Sequence, residues 1–337
     1  MQHPETWVEV TPKGLYVKPG DFYIDPTRAV DRALITHGHA DHARPGNKSV
    51  LATAETLGIM KARYGARAGD DLQTAAYGET ITIGDVRVTY YPAGHVLGSA
   101  QILMEYGGAR IVASGDYKRG YDPTCVPFQP VKCDVFITEA TFALPVFVHP
   151  DGRGEIQKLI ASTRTFPERA HLVGAYSLGK CQRVMKMLRE AEWDQPIYLH
   201  GAMVSLVELY EQLGVDLGPW KRVSEVKDKK ELQGQIVMCP PSALNDRWSR
   251  RLPDPVTVMA SGWMRIRQRA RQRGAELPLV ISDHADWPEL LQTIDDVGAP
   301  EIWITHGSED ALMHAATAKG YKARALALVG YDEEGAE

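Results

Sequence analysis

The stretch THGHADHARPG (residues 36–46) sets four side chains of metal-ligand type, His37, His39, Asp41 and His42, within six positions. The run before it, RALIT (32–36), is short and apolar and reads as a buried strand, while Pro45 and Gly46 stop regular structure. The cluster therefore lies in the turn that leaves a strand. Along a continuing strand Asp41 and His42 would point to opposite faces, and on a helix His37 and His39 would stand roughly 200° apart. A tight loop lets all four converge. One exposed histidine means little, but the spacing H-x-H-x-D-H is that of a metal site.

The same arrangement repeats along the chain. VTYYPAG leads to His95, ARIVASG to Asp116, CDVFIT to Glu139, LPLVISD to His284 and EIWIT to His306. A single histidine after a strand is more often a cap or a satisfied core residue. Six strand ends carrying such residues predict sheets whose carboxyl edges share one site, the usual place for ligands in α/β folds.

Composition bounds the rest. With 337 residues, 44% hydrophobic and 24% charged, the chain is of ordinary globular type and long enough for two domains. Its first residues, MQHPETWVEVTPKG, lack the basic start and apolar core of a signal peptide. No run approaches the length that spans a bilayer, so a cytoplasmic location is expected. Cys125, Cys133, Cys181 and Cys239 form no C-x-x-C pair, which predicts reduced thiols. A net charge of -5 argues against indiscriminate coating of nucleic acid. Residues 255–275 nevertheless hold Arg265, Arg267, Arg269, Arg271 and Arg273 with no acidic residue, next to Trp263 and Met264.

Roughly 140 residues separate Glu139 from His284, and their character differs. Helical patterns at 155–166, 177–193 and 205–214 alternate with short strands at 171–176, 195–200, 235–240 and 255–260. Such alternation predicts a small parallel α/β domain inserted into the first. The expected division is 1–152, an insertion at 153–275 and a return at 276–337, with KRVSEVKDKKE (221–231) a solvated loop or helix face. Within the insertion, GAYSLGKC (174–181) nearly fits a P-loop, but Cys181 replaces the hydroxyl residue that would hold magnesium. Nucleotide hydrolysis is therefore rejected. Ser177 and Lys180 remain as a seat for phosphate at a helix N-terminus, or as plain capping.

Imidazole and carboxylate donors without thiolates suit zinc, or manganese. One structural zinc needs four ligands, and the chain offers seven, which implies two ions. His37, His39 and His95 are assigned to the first, Asp41, His42 and His306 to the second, with Asp116 bridging. Two ions about 3.5–4 Å apart suit phosphodiester hydrolysis.

H-x-H-x-D-H with His95 in AGHVLGSA and Asp116 in SGDY resembles the metallo-β-lactamase fold, an αββα sandwich. Glu139 in TEAT, His284 in SDHAD and His306 in THGSE, split by an insertion, resemble its β-CASP branch, whose members cut nucleic acids: Artemis-type DNA nucleases, RNase J and mRNA 3′-end cleavage factors. AYSLGKCQRV, ASGWMRIR and ISDHADWPELL resemble most the bacterial ligase-associated DNA exonucleases. The resemblance runs from about residue 14 to about residue 328. It implies two zinc ions in the partition above, Asp25 as the carboxylate orienting a ligand histidine, and His284, held by Glu139, on the scissile phosphate or leaving oxygen. Asp41 and Asp116 join these as catalytic candidates. The Artemis-type enzymes lack a histidine at the place of His306, a point on which this chain sides with the bacterial and RNA-processing members.

The implied substrate is nucleic acid, DNA before RNA, cut in a DNA-repair setting with a ligase and a helicase as associates and no membrane. The insertion is expected to act as a lid over a strand, with Arg265 and Arg267 on phosphates and Trp263 as a stacking surface. Rival readings are an RNA-processing nuclease, a small-molecule hydrolase of glyoxalase or lactonase type, and a non-catalytic scaffold. The small-molecule enzymes need no inserted lid, and a scaffold would be expected to lose ligands that this chain keeps.

Overall fold

The structure, a computed structural model, describes residues 2–326. Within them two compact units separate, one formed by 2–147 with 284–326 and the other by 148–283.

The first unit opens with β1 (Val8–Thr11), β2 (Gly14–Val17), β3 (Phe22–Ile24), β4 (Arg32–Leu34), β5 (Ser49–Ala52), α1 (Ala54–Tyr64) and β6 (Asp71–Thr74). The six strands form a sheet in sequence order, antiparallel from β1 to β3 and parallel from β3 to β6. Thr53 caps α1, its side chain accepting from Thr56 N. Next come β7 (Thr80–Ile83), β8 (Val86–Pro92), β9 (Ala100–Tyr106), β10 (Ala109–Ala113) and β11 (Val135–Ala140).

The second unit contains α2 (Gly152–Thr165), β12 (His171–Gly174), α3 (Lys180–Glu190), β13 (Ile197–Leu199), α4 (Gly201–Gln212), β14 (Trp220–Arg222), β15 (Ile236–Cys239), β16 (Val256–Ala260), α5 (Arg267–Gln272) and β17 (Leu277–Leu279). Its sheet is parallel throughout, in the order β14-β13-β15-β12-β16-β17. Two expectations change here. Residues 276–283, placed with the return segment on sequence, belong to this unit because β17 pairs with β16. Part of the charged run 221–231 extends β14, an edge strand beside β13; its exposed position explains why it lacks an apolar signal.

The chain then returns through α6 (Trp287–Val297), β18 (Glu301–Gly307), α7 (Glu309–Ala318) and β19 (Lys322–Ala325). The second sheet of the first unit has the order β19-β18-β11-β10-β9-β8-β7. Alternation along its strands creates two cores. Ile102 and Met104, Ile111 and Ala113, Val135 and Ile137, and Trp303 join Leu15, Val17, Phe22, Leu34 and Leu51 of the first sheet in one buried cluster. Their neighbours Leu103, Val112, Phe136, Ile302 and Ile304 join Leu290, Ile294 and Val297 of α6 and Leu312 and Ala316 of α7 in another. On the first sheet, Ala33, Val50 and Ala52 turn away from the inner cluster to pack with Leu57 and Met60 of α1. Helix, sheet, sheet and helix thus form an αββα sandwich.

Among the described residues, no helix is long and apolar enough to cross a membrane. The four cysteines are free, with Cys181 and Cys239 buried.

Candidate metal centre

β8 and β10 both run antiparallel to β9, and β11 and β18 run parallel to β10. Their carboxyl ends therefore share one edge of the sheet, and His95, Asp116, Glu139 and His306 emerge there. β4 of the other sheet delivers His37. The two sheet ends meet where Gly115 (φ 55°) abuts Thr36: a Cβ at Gly115 would lie 2.7 Å from the Thr36 side chain. Glycine is thus needed both for the left-handed backbone and for the approach. After Thr36 the loop folds back, with Ala43 N donating to His39 O at 2.7 Å. Ser99 Oγ fixes the His95 turn by accepting from His95 N at 3.0 Å and Val96 N at 3.2 Å.

Four ligand atoms converge. His39 Nδ1 is 3.1 Å from His37 Nε2 and 3.0 Å from His95 Nε2. Asp116 Oδ2 is 3.5 Å from His37 Nε2 and 3.8 Å from His95 Nε2. A tetrahedral zinc with nitrogen ligands at about 2.0–2.1 Å separates its donor atoms by about 3.3–3.4 Å, so the set fits such an ion. Burial holds the His37 imidazole well below its usual range and lowers that of His39. Neutral rings keep the lone pairs that a metal requires.

The same Asp116 Oδ2 lies 3.4 Å from His42 Nε2, which is 3.7 Å from Asp41 Oδ2. His306, in left-handed backbone (φ 58°), sets its ring 5.5 Å from that of His42. Burial and the charge on His42 bring His306 down to about 4. His42 moves the other way: burial opposes its charge, yet Asp116, Asp41 and the hydrogen bonds to Asp116 and Asp25 hold it well above the ordinary value. Burial likewise opposes charge on Asp116, but His42 keeps that carboxyl well below the usual range.

Asp25 is buried, with φ 42°. Its Oδ1 accepts Thr36 N at 2.8 Å, and its Oδ2 accepts Thr36 Oγ1 at 2.5 Å and faces His42 Nδ1 at 2.9 Å. Thr36 Oγ1, its proton given to Asp25, can accept from His37 Nδ1 at 3.1 Å. This network takes the Nδ1 proton of both rings, so Nε2 of neutral His37 faces Asp116 unprotonated, and His42 would present Nε2 in the same way once its second proton is displaced by a metal. Thr36 is the member the sequence reading lacked; it adjoins His37 but carries no ligand chemistry of its own.

Glu139 and His284 form a second pair, His284 Nδ1 to Glu139 Oε2 at 2.9 Å, while Glu139 Oε1 accepts Tyr117 N at 2.8 Å. Burial raises the Glu139 carboxyl. The His284 ring is 4.6 Å from that of His95, so the pair borders the first ligand group.

The residues expected to meet nucleic acid lie in the second unit. Arg265 and Arg267 are exposed, and Arg269 stacks its guanidinium 3.6 Å from the half-buried Trp263 ring. The proposed phosphate seat is not there. Gly179 is the N-cap of α3 without a side-chain cap, Ser177 uses its carbonyl to accept from Gln182 Nε2, and Lys180 is fully buried beside Asp283. A lysine so enclosed is not presented to a strand of nucleic acid.

No protein-family model matches the chain. Curated relatives include a probable DNA ligase of Opitutus terrae, 28% identical over 320 residues, covering 93% of this chain and 30% of that protein. Endoribonuclease YSH1 of Gibberella zeae is 33% identical over 373 residues, covering 87% and 44%. An RNase J-like protein of Methanocaldococcus jannaschii is 26% identical over 211 residues, covering 54% and 50%. The chain thus spans about a third to a half of these relatives' own lengths. A solved structure of a protein of unknown function from Enterococcus faecalis matches with a TM-score of 0.57 at 13% identity, over 89% of this chain and 80% of that one, which bears on fold alone. The αββα sandwich, the inserted parallel sheet and these relatives agree: the chain belongs to the β-CASP branch of the metallo-β-lactamase family.

Proposed function

We propose that the protein is a metal-dependent nuclease that hydrolyses phosphodiester bonds, acting on DNA from an end. The observation that carries this reading is the sharing of Asp116 Oδ2 between His37 and His95 on one hand and His42 on the other. His37, His39 and His95 would hold one zinc, and Asp41, His42 and His306 the second, with Asp116 common to both; manganese suits the same donors. When bound, such ions lower the pKa of water and neutralise charge on phosphoryl oxygens.

The protein's own groups then supply orientation and a proton. Asp25 fixes the tautomer of His42, and of His37 through Thr36. Glu139 engages Nδ1 of His284, which leaves Nε2 to contact the scissile phosphate and hand a proton to the departing oxygen as the phosphorus–oxygen bond breaks. Arg265 and Arg267 are assigned to phosphates farther along the strand, and Trp263 to a base.

DNA is favoured by the likeness of AYSLGKCQRV, ASGWMRIR and ISDHADWPELL to ligase-associated exonucleases and by the DNA-ligase relative. A ligase and a helicase are the partners this implies, in the cytoplasm. The second reading, RNA processing, is favoured by the relatives named endoribonucleases. Matched DNA and RNA oligomers, labelled separately at each end, test both: shortening of DNA alone is the expected result. Cutting of RNA alone selects the second reading, and cutting of neither removes both.

A further inference from the structure

The motif GAYSLGKC resembles a phosphate loop without being one, and its lysine finds its partner about a hundred residues away in SDHAD. Lys180 Nζ lies 3.4 Å from Asp283 Oδ2, and Arg183, one turn on along α3, lies 3.4 Å from Asp283 Oδ1. The same guanidinium donates to the carbonyl of Ser282. From α2, Glu155 Oε2 accepts Val280 N at 2.9 Å. Lys180 is 0% exposed, Asp283 1%, Glu155 2% and Arg183 6%. Residues 280, 282 and 283 are therefore each fastened by a buried charged side chain of the second unit, and the next residue is His284.

Buried ion clusters are a poor route to stability, because desolvation offsets the attraction and apolar side chains of similar volume serve as well. What such a cluster provides is direction. Arg183 reads the Ser282 carbonyl and the Asp283 carboxylate together, and Lys180 takes the other carboxylate oxygen, so the peptide entering His284 is held at its backbone and at its side chain. The ring of His284 is fixed from the other end by Glu139. A histidine that must deliver a proton depends on placement at the sub-ångström level.

We infer that Lys180, Arg183 and Asp283 form a positioning device for His284, acting through the peptide that joins residues 283 and 284. The inference rests on the nuclease reading only in giving His284 a task. It predicts that Asp283→Asn keeps its fold and metal content, leaves KM within about twofold, and lowers kcat on an oligonucleotide by up to about 100-fold. Lys180→Arg, which keeps the charge, should retain most activity, and Lys180→Met should not.

Two readouts separate positioning from bulk stability. In a His284→Ala background, adding Asp283→Asn should cause no further loss; the same fold loss in both backgrounds overturns the inference. In ¹⁵N-histidine spectra, Asp283→Asn should shift the ring signals of His284 while leaving those of His37 and His171 in place; unchanged His284 signals also overturn it. If the native chain cuts no nucleic acid, the nuclease reading fails while the spectra still decide the positioning. Should Asp283→Asn not fold, Lys180→Met carries the same two tests.

Discussion

Replacing Asp25 by asparagine exchanges one carboxylate oxygen for an NH2 group and tests how the candidate ligand histidines are oriented. Asparagine tolerates the left-handed backbone at φ 42° about as well as aspartate, so the substitution separates hydrogen bonding from strain. The carboxylate accepts from Thr36 N, Thr36 Oγ1 and His42 Nδ1. An amide has one oxygen. If its NH2 takes the Oδ1 place it confronts the Thr36 N–H; if it takes the Oδ2 place, His42 must accept at Nδ1 and carry its proton on Nε2, the atom aimed at Asp116.

Either outcome forfeits a charge-assisted hydrogen bond worth about 1.5–3 kcal/mol. At about 1.4 kcal/mol per decade that is roughly 10–100-fold in affinity for the ion assigned to His42, the range known for such outer partners. Competition with a chelating dye should resolve two binding steps in the native protein. In Asp25→Asn the step assigned to His42 should weaken by that factor, and the step assigned to His37, His39 and His95 by clearly less, because Asp25 reaches His37 only through Thr36. Two steps both within twofold of the native values would refute the reasoning, and so would equal weakening of both.

Further outcomes follow from the same geometry. Asp116→Ala and His37→Ala should abolish cutting and reduce bound metal measured by mass spectrometry, whereas His284→Ala should lower the rate with metal content unchanged. Gly115→Ala forces a Cβ to 2.7 Å from Thr36 at positive φ, and chemical denaturation should show a loss of about 1–3 kcal/mol. For Arg265→Ala with Arg267→Ala, the slope of log K against log salt for a single-stranded oligomer should fall by about 0.7 per phosphate contact removed. An unchanged slope would place both arginines away from the strand.

The residues that the structure brings together were legible because coordination chemistry restricts identity at each position: His37, His39, His95 and Asp116 could be named from their places after strand-like runs, and the αββα class came with the family their motifs resemble. The supporting partners were less so. Thr36 acts through one hydroxyl, and any of many residues could stand before a histidine. Lys180 was misplaced because local pattern shows a helix start, while the Asp283 that claims it lies a hundred positions on. Leu277–Leu279 read correctly as a strand but not as to its sheet, since an apolar run does not specify its neighbour. The edge strand Trp220–Arg222 exposes most of its side chains and so resembles a loop.

The placement of β18 beside β11 has a consequence for synthesis. β11 leaves the ribosome well before its parallel neighbour, and until β18 arrives that flank of the sheet offers unpaired backbone groups. The ends of the intervening segment are brought together in the finished unit, where Phe147 O accepts Trp287 N at 3.1 Å. Were the roughly 140 residues between them a free coil, closing the loop would cost about 4 kcal/mol of chain entropy. Folding of the insertion removes most of that penalty in advance. Connectivity alone thus makes the second unit a folding aid for the first, and a mutation that melts the insertion would weaken metal retention in a sheet it does not belong to.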